Sequence, residues 1–377
     1  MNFDDIRPYN ADEIPAAMKR IAASEHFEQL ARWIFPDQDP EDVRHRVAAY
    51  TTVREFQAGV MSKVNERVIA ISTTGFSCSG LDMLDANGSY TYVSNHRDIM
   101  LDSSLLQYFL LKNGFDTTEI TFGANLMSGQ LVTDIGKCNK MFRVERPGGS
   151  MREFYLKSVH LSEYIRNTVC QNHHSVWIAQ RNGRTKNGDD ATDQGIIKMF
   201  CMSLTSDKAR AINELGIVPV SISYEWEPCD YLKALELFAS RKGKYTKRPG
   251  EDLNSILTGI VQPKGHVHIE LCHPITSEDT AALAHLPAGA YHKAIASLID
   301  KRIRTAYRLY PNNFIAHDIL HANDKYSSHY TEEQKNAFAH HLDEVKQYDE
   351  THADELRNIM LNIYATPIDN KLLCGEI

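Results

Sequence analysis

From Tyr90 to Leu271 short β-rich runs alternate with longer stretches whose apolar residues recur at helical spacing. This alternation limits the fold more than any other feature, because strands separated by helix-length connections pair in parallel and need helices over the sheet. Strands are expected at 90–93, 119–123, 142–146, 175–179, 217–224 and 267–271. Helices are expected at 101–112, 151–170, 196–204, 208–215 and 231–239. The pattern predicts an α/β fold, a mixed sheet flanked by helices.

Residues 11–70 read as four helical segments. Ile14, Met18 and Ile21 share a face of the first, and Pro36 stops the second. Residues 75–88 read as a loop, with Asn87-Gly88 as a turn before the first strand. From Tyr291 the chain is helical again, with Pro311 and Pro367 as breaks. Three units follow: an N-terminal helical subdomain over 1–85, an α/β domain over 86–290 and a C-terminal helical segment over 291–377.

The 41 basic against 49 acidic residues give a net charge of −8, so bulk nucleic-acid binding is not expected. Seven scattered cysteines form no zinc knuckle or redox pair and suit a reducing compartment. The polar opening M-N-F-D-D is unlike a signal peptide, and no apolar run approaches the roughly 20 residues that span a bilayer. The expectation is a cytoplasmic protein that meets any lipid from outside, peripherally on the inner face of the membrane. The basic run Arg241, Lys242, Lys244, Lys247 and Arg248 is either a solvated loop or an anion contact for a carrier protein, a coenzyme phosphate or a lipid headgroup, and so a candidate membrane-docking surface.

Chemistry concentrates in V-S-N-H-R-D-I-M-L-D, residues 93–102. His96 falls in a strand-to-helix turn, with Asp98 and Asp102 on the helix side. A carboxylate there can orient an imidazole so that its free nitrogen takes a proton from a hydroxyl. Asp98 also suits a helix cap. Downstream, Gln180-Arg181-Asn182-Gly183-Arg184-Thr185-Lys186 sets three cations around a glycine at the end of a strand, where open α/β sheets place ligands. Phe142 to Arg146 precedes a Pro-Gly-Gly break, with Arg146 as a second anion clamp or a partner for Glu145. Pro219 lies early in the apolar run 217–222. A metal reading takes Asn95, His96 and Asp98 as ligands, or His317 and His321, four apart on a helix; for that pair a surface helix is the ordinary reading, and no further matching ligand stands out.

In this order the motifs resemble the four blocks of the glycerolipid acyltransferase superfamily, which acylates glycerol-3-phosphate and lysophosphatidic acid. The blocks are Asn95-His96 with Asp102, Val144 to Arg146, Asn182-Gly183-Arg184, and Val218-Pro219-Val220, over roughly 90–275. The resemblance implies His96 as general base and Asp102 as its orienting acid. It implies a fatty acyl thioester of acyl carrier protein or coenzyme A as donor, and a phosphorylated glycerol or lysolipid as acceptor. Asn95, Arg146, Asn182, Gly183 and Arg184 would hold the acceptor, and Pro219 would shape the wall near the acyl chain. No metal or other cofactor is implied. Three departures stand out. Five residues separate His96 from Asp102 where the family has four, and each extra residue turns a helical side chain by about 100°. Asn182 replaces a glutamate, and Phe142 lies one residue farther from Arg146. Asn182 and the shifted Asp102 also suit a non-catalytic lipid- or carrier-binding module of the same fold.

Overall fold

The computed structural model describes residues 2–127, 129–145, 150–241, 243 and 245–375. The chain opens with α1 (Ile14–Ala22), α2 (Phe27–Ile34), α3 (Pro40–Ala48), α4 (Val53–Phe56) and α5 (Ser62–Ser72), the last two joined through a π-turn over Gln57–Met61. Ile14, Met18 and Ile21 are buried together with Phe27, Val43, Val47 and Phe56. Pro40 follows the Asp39 cap of α3, and Thr52 closes a reciprocal cap with Glu55 on α4.

Next come β1 (Thr73–Ser79), β2 (Thr91–Ser94), α6 (Leu101–Lys112), β3 (Glu119–Gly123), α7 (Gln130–Cys138), β4 (Met141–Val144), α8 (Met151–Cys170) and β5 (Val176–Ala179). They are followed by α9 (Gln194–Cys201), α10 (Lys208–Asn213), β6 (Ile217–Tyr224), α11 (Asp230–Ser240), α12 (Glu251–Val261) and β7 (Gly265–Leu271). The chain closes with α13 (Ser277–Leu283), α14 (Ala288–Ala306), α15 (Pro311–Leu320), α16 (Glu332–Asp343) and α17 (Ala353–Leu373).

The seven strands form one mixed sheet in the order β1-β7-β6-β2-β5-β3-β4. Neighbours run parallel except β6 and β7. Side chains alternate between the faces. Val93 and Ile178 bury against residues of α8, α9 and α14. Tyr92, Trp177, Val218 and Val220 bury on the other side with Leu101, Leu105, Leu106 and Leu110 of α6.

Three readings are corrected. The first part of the expected 75–88 loop is β1, parallel to β7. Its residues Gly75, Ser77 and Ser79 gave no apolar alternation because β1 is an edge strand facing polar side chains; Ser77 Oγ lies 2.8 Å from His268 Nδ1. Helix α12 was not anticipated. Pro367 does not break α17, which runs through it. A helical proline leaves a preceding carbonyl without its amide partner. Here the Ile363 carbonyl packs against Gly188, where a Cβ would come within 2.3 Å of that oxygen.

Candidate active site

β2 lies between β5 and β6 in the middle of the sheet. The segment leaving it crosses to α6 at the carboxyl ends of parallel strands, where open α/β sheets present ligands. Asn95 begins that crossing and is fully buried. Its Oδ1 accepts from Ile222 N at 2.8 Å, and its Nδ2 donates to Ile222 O at 2.9 Å and to Asp190 Oδ2 at 3.0 Å. An amide so engaged fixes the turn to β6, and it is not presented to a substrate as the sequence reading had it.

The His96 ring stands edge-on to Trp177, with centroids 5.8 Å apart. Its Nδ1 lies 2.9 Å from Asp102 Oδ2. With the proton on Nδ1 shared to that carboxylate, Nε2 carries the lone pair. The imidazole keeps 13% exposure, whereas Asp102 is sealed.

Asp102 reaches His96 despite the extra residue because residues 95–100 are a turn and not a helix. The carboxylate gathers that turn around itself. Its Oδ2 also accepts from Arg97 N at 2.6 Å and Asp98 N at 2.9 Å, and its Oδ1 accepts from Tyr224 OH at 2.7 Å. Burial and the neighbouring Asp102 charge push the Tyr224 phenol well above its usual range, so it remains a donor.

Asp98 faces the start of α6. Its Oδ1 accepts from Met100 N at 2.9 Å and Leu101 N at 2.8 Å. Its buried Oδ2 has no hydrogen-bond partner among the described residues. Burial, then the Asp102 charge, push the Asp98 carboxyl up. With Asn95 bound to β6 and Asp98 turned to the helix, the three-ligand metal reading of this turn is not assembled.

Beneath His96 lies a buried ion network that sequence reading missed. Arg97, 1% exposed, donates from Nε and Nη2 to Asp190 at 3.1 and 2.6 Å, and from Nη1 to Glu227 at 3.0 Å. Lys233 Nζ bonds Glu227 Oε1 at 2.5 Å and the Arg97 carbonyl at 2.7 Å. Two cations and two anions thus neutralise one another in a dry interior, with the remaining valences filled by backbone. The only local signal was Arg97 inside the motif; Asp190, Tyr224, Glu227 and Lys233 lie far along the chain.

The loop after β5 is tied to this turn. Gln180 N donates to Ser94 O and Thr185 N to His96 O, both at 2.7 Å. Asn182 and Gly183 are exposed. Gly183 adopts φ +75°, a backbone region that side chains other than glycine rarely take, and a Cβ there would meet nothing within 4 Å. Arg184 folds inward to 8% exposure, and its charge acts on Asp98 and Cys229. Its Nη1 is buried and has no hydrogen-bond partner among the described residues, as is true of Thr185 Oγ1 and Gln180 Nε2. Lys186 is paired with Glu236.

Of the block residues that the structure describes, Pro219 is not brought to the imidazole. Pro219 is buried opposite Val93 in the sheet register, so alternation puts it on the face away from Trp177. Its carbonyl accepts from Cys272 N at 2.8 Å. The amide hydrogen it lacks would also face β7, past the end of the β6–β7 ladder at Val220, which is how a central strand admits proline. Arg146 lies outside the described residues. Glu145 pairs with Arg143 at 2.8 Å.

No family model matches the chain, and no curated protein matches it. Among solved structures the chain is similar to the 1-acyl-sn-glycerophosphate (LPA) acyltransferase PlsC from Thermotoga maritima, at 14% identity and a TM-score of 0.34, covering 76% of this chain and 93% of that one. A score of that size gives the likeness no weight for fold or function.

Proposed function

We propose that this protein is an O-acyltransferase that moves a fatty acyl group from a thioester, of acyl carrier protein or coenzyme A, to a hydroxyl of a glycerol-3-phosphate or lysophosphatidic-acid-type acceptor. The observation that carries the reading is the His96–Asp102 pair: a sealed carboxylate 2.9 Å from Nδ1 of a partly open imidazole. His96 Nε2 takes the acceptor's hydroxyl proton as its oxygen attacks the thioester carbonyl. The tetrahedral intermediate collapses, the carbon–sulfur bond breaks, and the imidazolium returns the proton to the leaving thiolate. Asp102 holds the tautomer and offsets the charge on the ring. The sequence blocks support the choice of acyl transfer over other proton-abstraction chemistry.

Arg184 is the acceptor-phosphate candidate on this reading. A buried guanidinium nitrogen without a partner is costly, and an anion entering beside Gly183 would satisfy it. Arg146 is proposed as a second clamp, and Asn182 as an exposed contact at the loop tip.

Membrane docking belongs to the same proposal. No helix among the described residues is long and apolar enough to cross a membrane. Leu253, Leu257 and Val261 are 60%, 56% and 59% exposed at four-residue spacing on α12, so one face of that helix is an apolar ridge. The basic run precedes it, with Arg241 paired to Glu355 and Lys247 to Asp252. The other face of α12 closes on the site: a Cβ on Gly259 would come within 2.2 Å of Asp98 Oδ2.

The test is a labelled long-chain acyl thioester, purified protein and a panel of hydroxyl acceptors, with products resolved. Acylation of the phosphorylated acceptors, well above acceptors lacking phosphate, is expected. Transfer to none of them, with thioester or lysolipid still bound, would instead establish a non-catalytic binding module.

A further inference from the structure

Away from the His96 turn, the C-terminal helices bring together side chains that the proposed chemistry does not use. His317 lies in the last turn of α15 and His321 caps its end. The four-residue spacing puts both rings on one side of the helix, with centroids 4.3 Å apart. The sequence offered no further ligand for the pair. The structure supplies one: Asp369 of α17 lies with Oδ1 4.0 Å from His317 Nε2. One donor atom from each of the three residues lies within 4.8 Å of the others, and no other group of three or more His, Cys, Asp or Glu among the described residues meets that condition.

We propose that His317, His321 and Asp369 form a binding site for a divalent transition metal of the zinc class, clamping α15 to α17. The donor set, two imidazoles and a carboxylate, suits zinc in preference to magnesium or calcium, which take all-oxygen cages. Tetrahedral zinc holds such donors roughly 3.3 Å apart at bonds of about 2.0–2.1 Å, a contraction within the reach of side-chain rotation because His321 and Asp369 are both exposed. Water completes the fourth position.

A second observation points to the same ligand. His317 is 6% exposed, and its buried Nδ1 has no hydrogen-bond partner among the described residues. Asp318 Oδ1 stands 3.8 Å from that nitrogen. Metal on Nε2 would place the ring proton on Nδ1, toward Asp318, giving the carboxylate–histidine–metal order by which outer groups orient ligands. Asp318 is itself held by Tyr326 N and Tyr330 OH.

The test uses the full chain, freed of metal by a chelator and titrated with Zn²⁺ against a chromophoric competitor. Parent protein is compared with His321→Ala and Asp369→Asn, whose altered side chains are exposed. The parent should take up one equivalent that each variant binds at least about 10–100-fold more weakly, the loss that changes at outer-shell partners already cause. Zinc should raise the melting temperature of the parent and of neither variant, and Mg²⁺ should raise none. Equal zinc uptake by all three proteins, no uptake by the parent, or a melting temperature indifferent to zinc would each overturn the proposal.

Discussion

The turn that holds His96 and the loop that holds Arg184 are joined by the Thr185 N to His96 O bond and by the bonds of Asn95 and Arg97 to Asp190, yet they are built on different terms. In the turn, Asn95, Arg97 and Asp102 have spent their polar atoms on the protein, and Asp98 alone keeps a buried oxygen without a partner among the described residues. In the loop, Gln180, Arg184 and Thr185 each keep a buried polar atom without a partner among the described residues. On the proposed chemistry His96 is a base that must be aimed before its substrate arrives, and closed supports suit that role. On the same proposal the loop takes the ligand, and open valences suit that role.

The largest test of this contrast is His96→Ala. It should lower kcat about 10²–10⁴-fold while the melting temperature stays near that of the parent, because only one ring nitrogen is tied to the protein. Asp102→Asn should cost rate on a similar scale and also about 1–3 kcal/mol of stability, since its Oδ2 closes the turn; denaturant midpoints read the second effect. Asp98→Asn retains the acceptor that caps α6 and should change kcat by a few-fold at most. Equal damage at 98 and 102 would break the contrast.

Next in size is Arg184→Ala. Loss of charge-assisted bonds worth roughly 1.5–3 kcal/mol should raise the acceptor's KM about 10–100-fold and leave the donor's KM alone. Arg146→Ala should act likewise if the acceptor carries phosphate. Sensitivity to only one of the two would favour an acceptor headed by a carboxylate, such as a lyso amino-acid lipid. A raised donor KM would move the open valences to the thioester side.

Gly259→Ala presses a methyl group onto Asp98 from α12. Because Asp98 is held by two backbone bonds and cannot swing aside, overpacking should cost about 1–3 kcal/mol, read as a lowered denaturation midpoint. An unchanged midpoint would mean the turn is looser than its hydrogen bonds imply.

The smallest effect is expected in acid. Asp230, at the start of α11, is fully buried, which alone would raise its carboxyl. The bonds from His341 Nε2 at 2.6 Å, Tyr364 OH at 2.7 Å and Gln262 Nε2 at 2.9 Å outweigh burial and hold it below its usual range. A lowered carboxyl contributes stability that is fully present above the ordinary aspartate value of about 3.9 and is lost as pH falls through the lowered value. Asp230→Asn should therefore flatten the acid limb of the stability curve, read by thermal melts at stepped pH. Since Lys233 on the same helix anchors the Arg97 carbonyl, a variant with an unchanged acid limb would separate the anchoring of the turn from the packing of the C-terminal helices.

Much of this architecture was legible in the residues. Leu101, Leu105, Leu106 and Leu110 mark α6 by their spacing, and the apolar run of β6 marks a strand buried on both faces. The His96–Asp102 relation was half legible: the residue types were visible, but the unwound turn that joins them across an extra residue depends on Tyr224 and on backbone amides. β1 was hidden because its partner strand lies almost 200 residues on and, apart from Phe76 and Cys78, its residues are glycine, serine and threonine. Helix α12 was hidden because it turns its apolar residues outward, where no core enforces a pattern. The Arg97 network was illegible for the same reason as β1: its partners are remote. Gly183, by contrast, signalled its positive φ by being glycine between polar neighbours.

That remoteness has a consequence for how the protein is made. The contacts fixing the His96 turn join residues 93, 130 and 136 positions apart. Closing such distances costs chain entropy before any bond repays it, so long-range pairings of this kind form slowly and late. A nascent chain leaving the ribosome has β2 and α6 in hand long before Glu227 and Lys233 are synthesised. Until then Arg97 has no interior to enter, and the segment destined to aim the imidazole stays in water. The imidazole therefore acquires its direction only as β6 and α11 dock, and a chain interrupted before them carries the motif without the geometry.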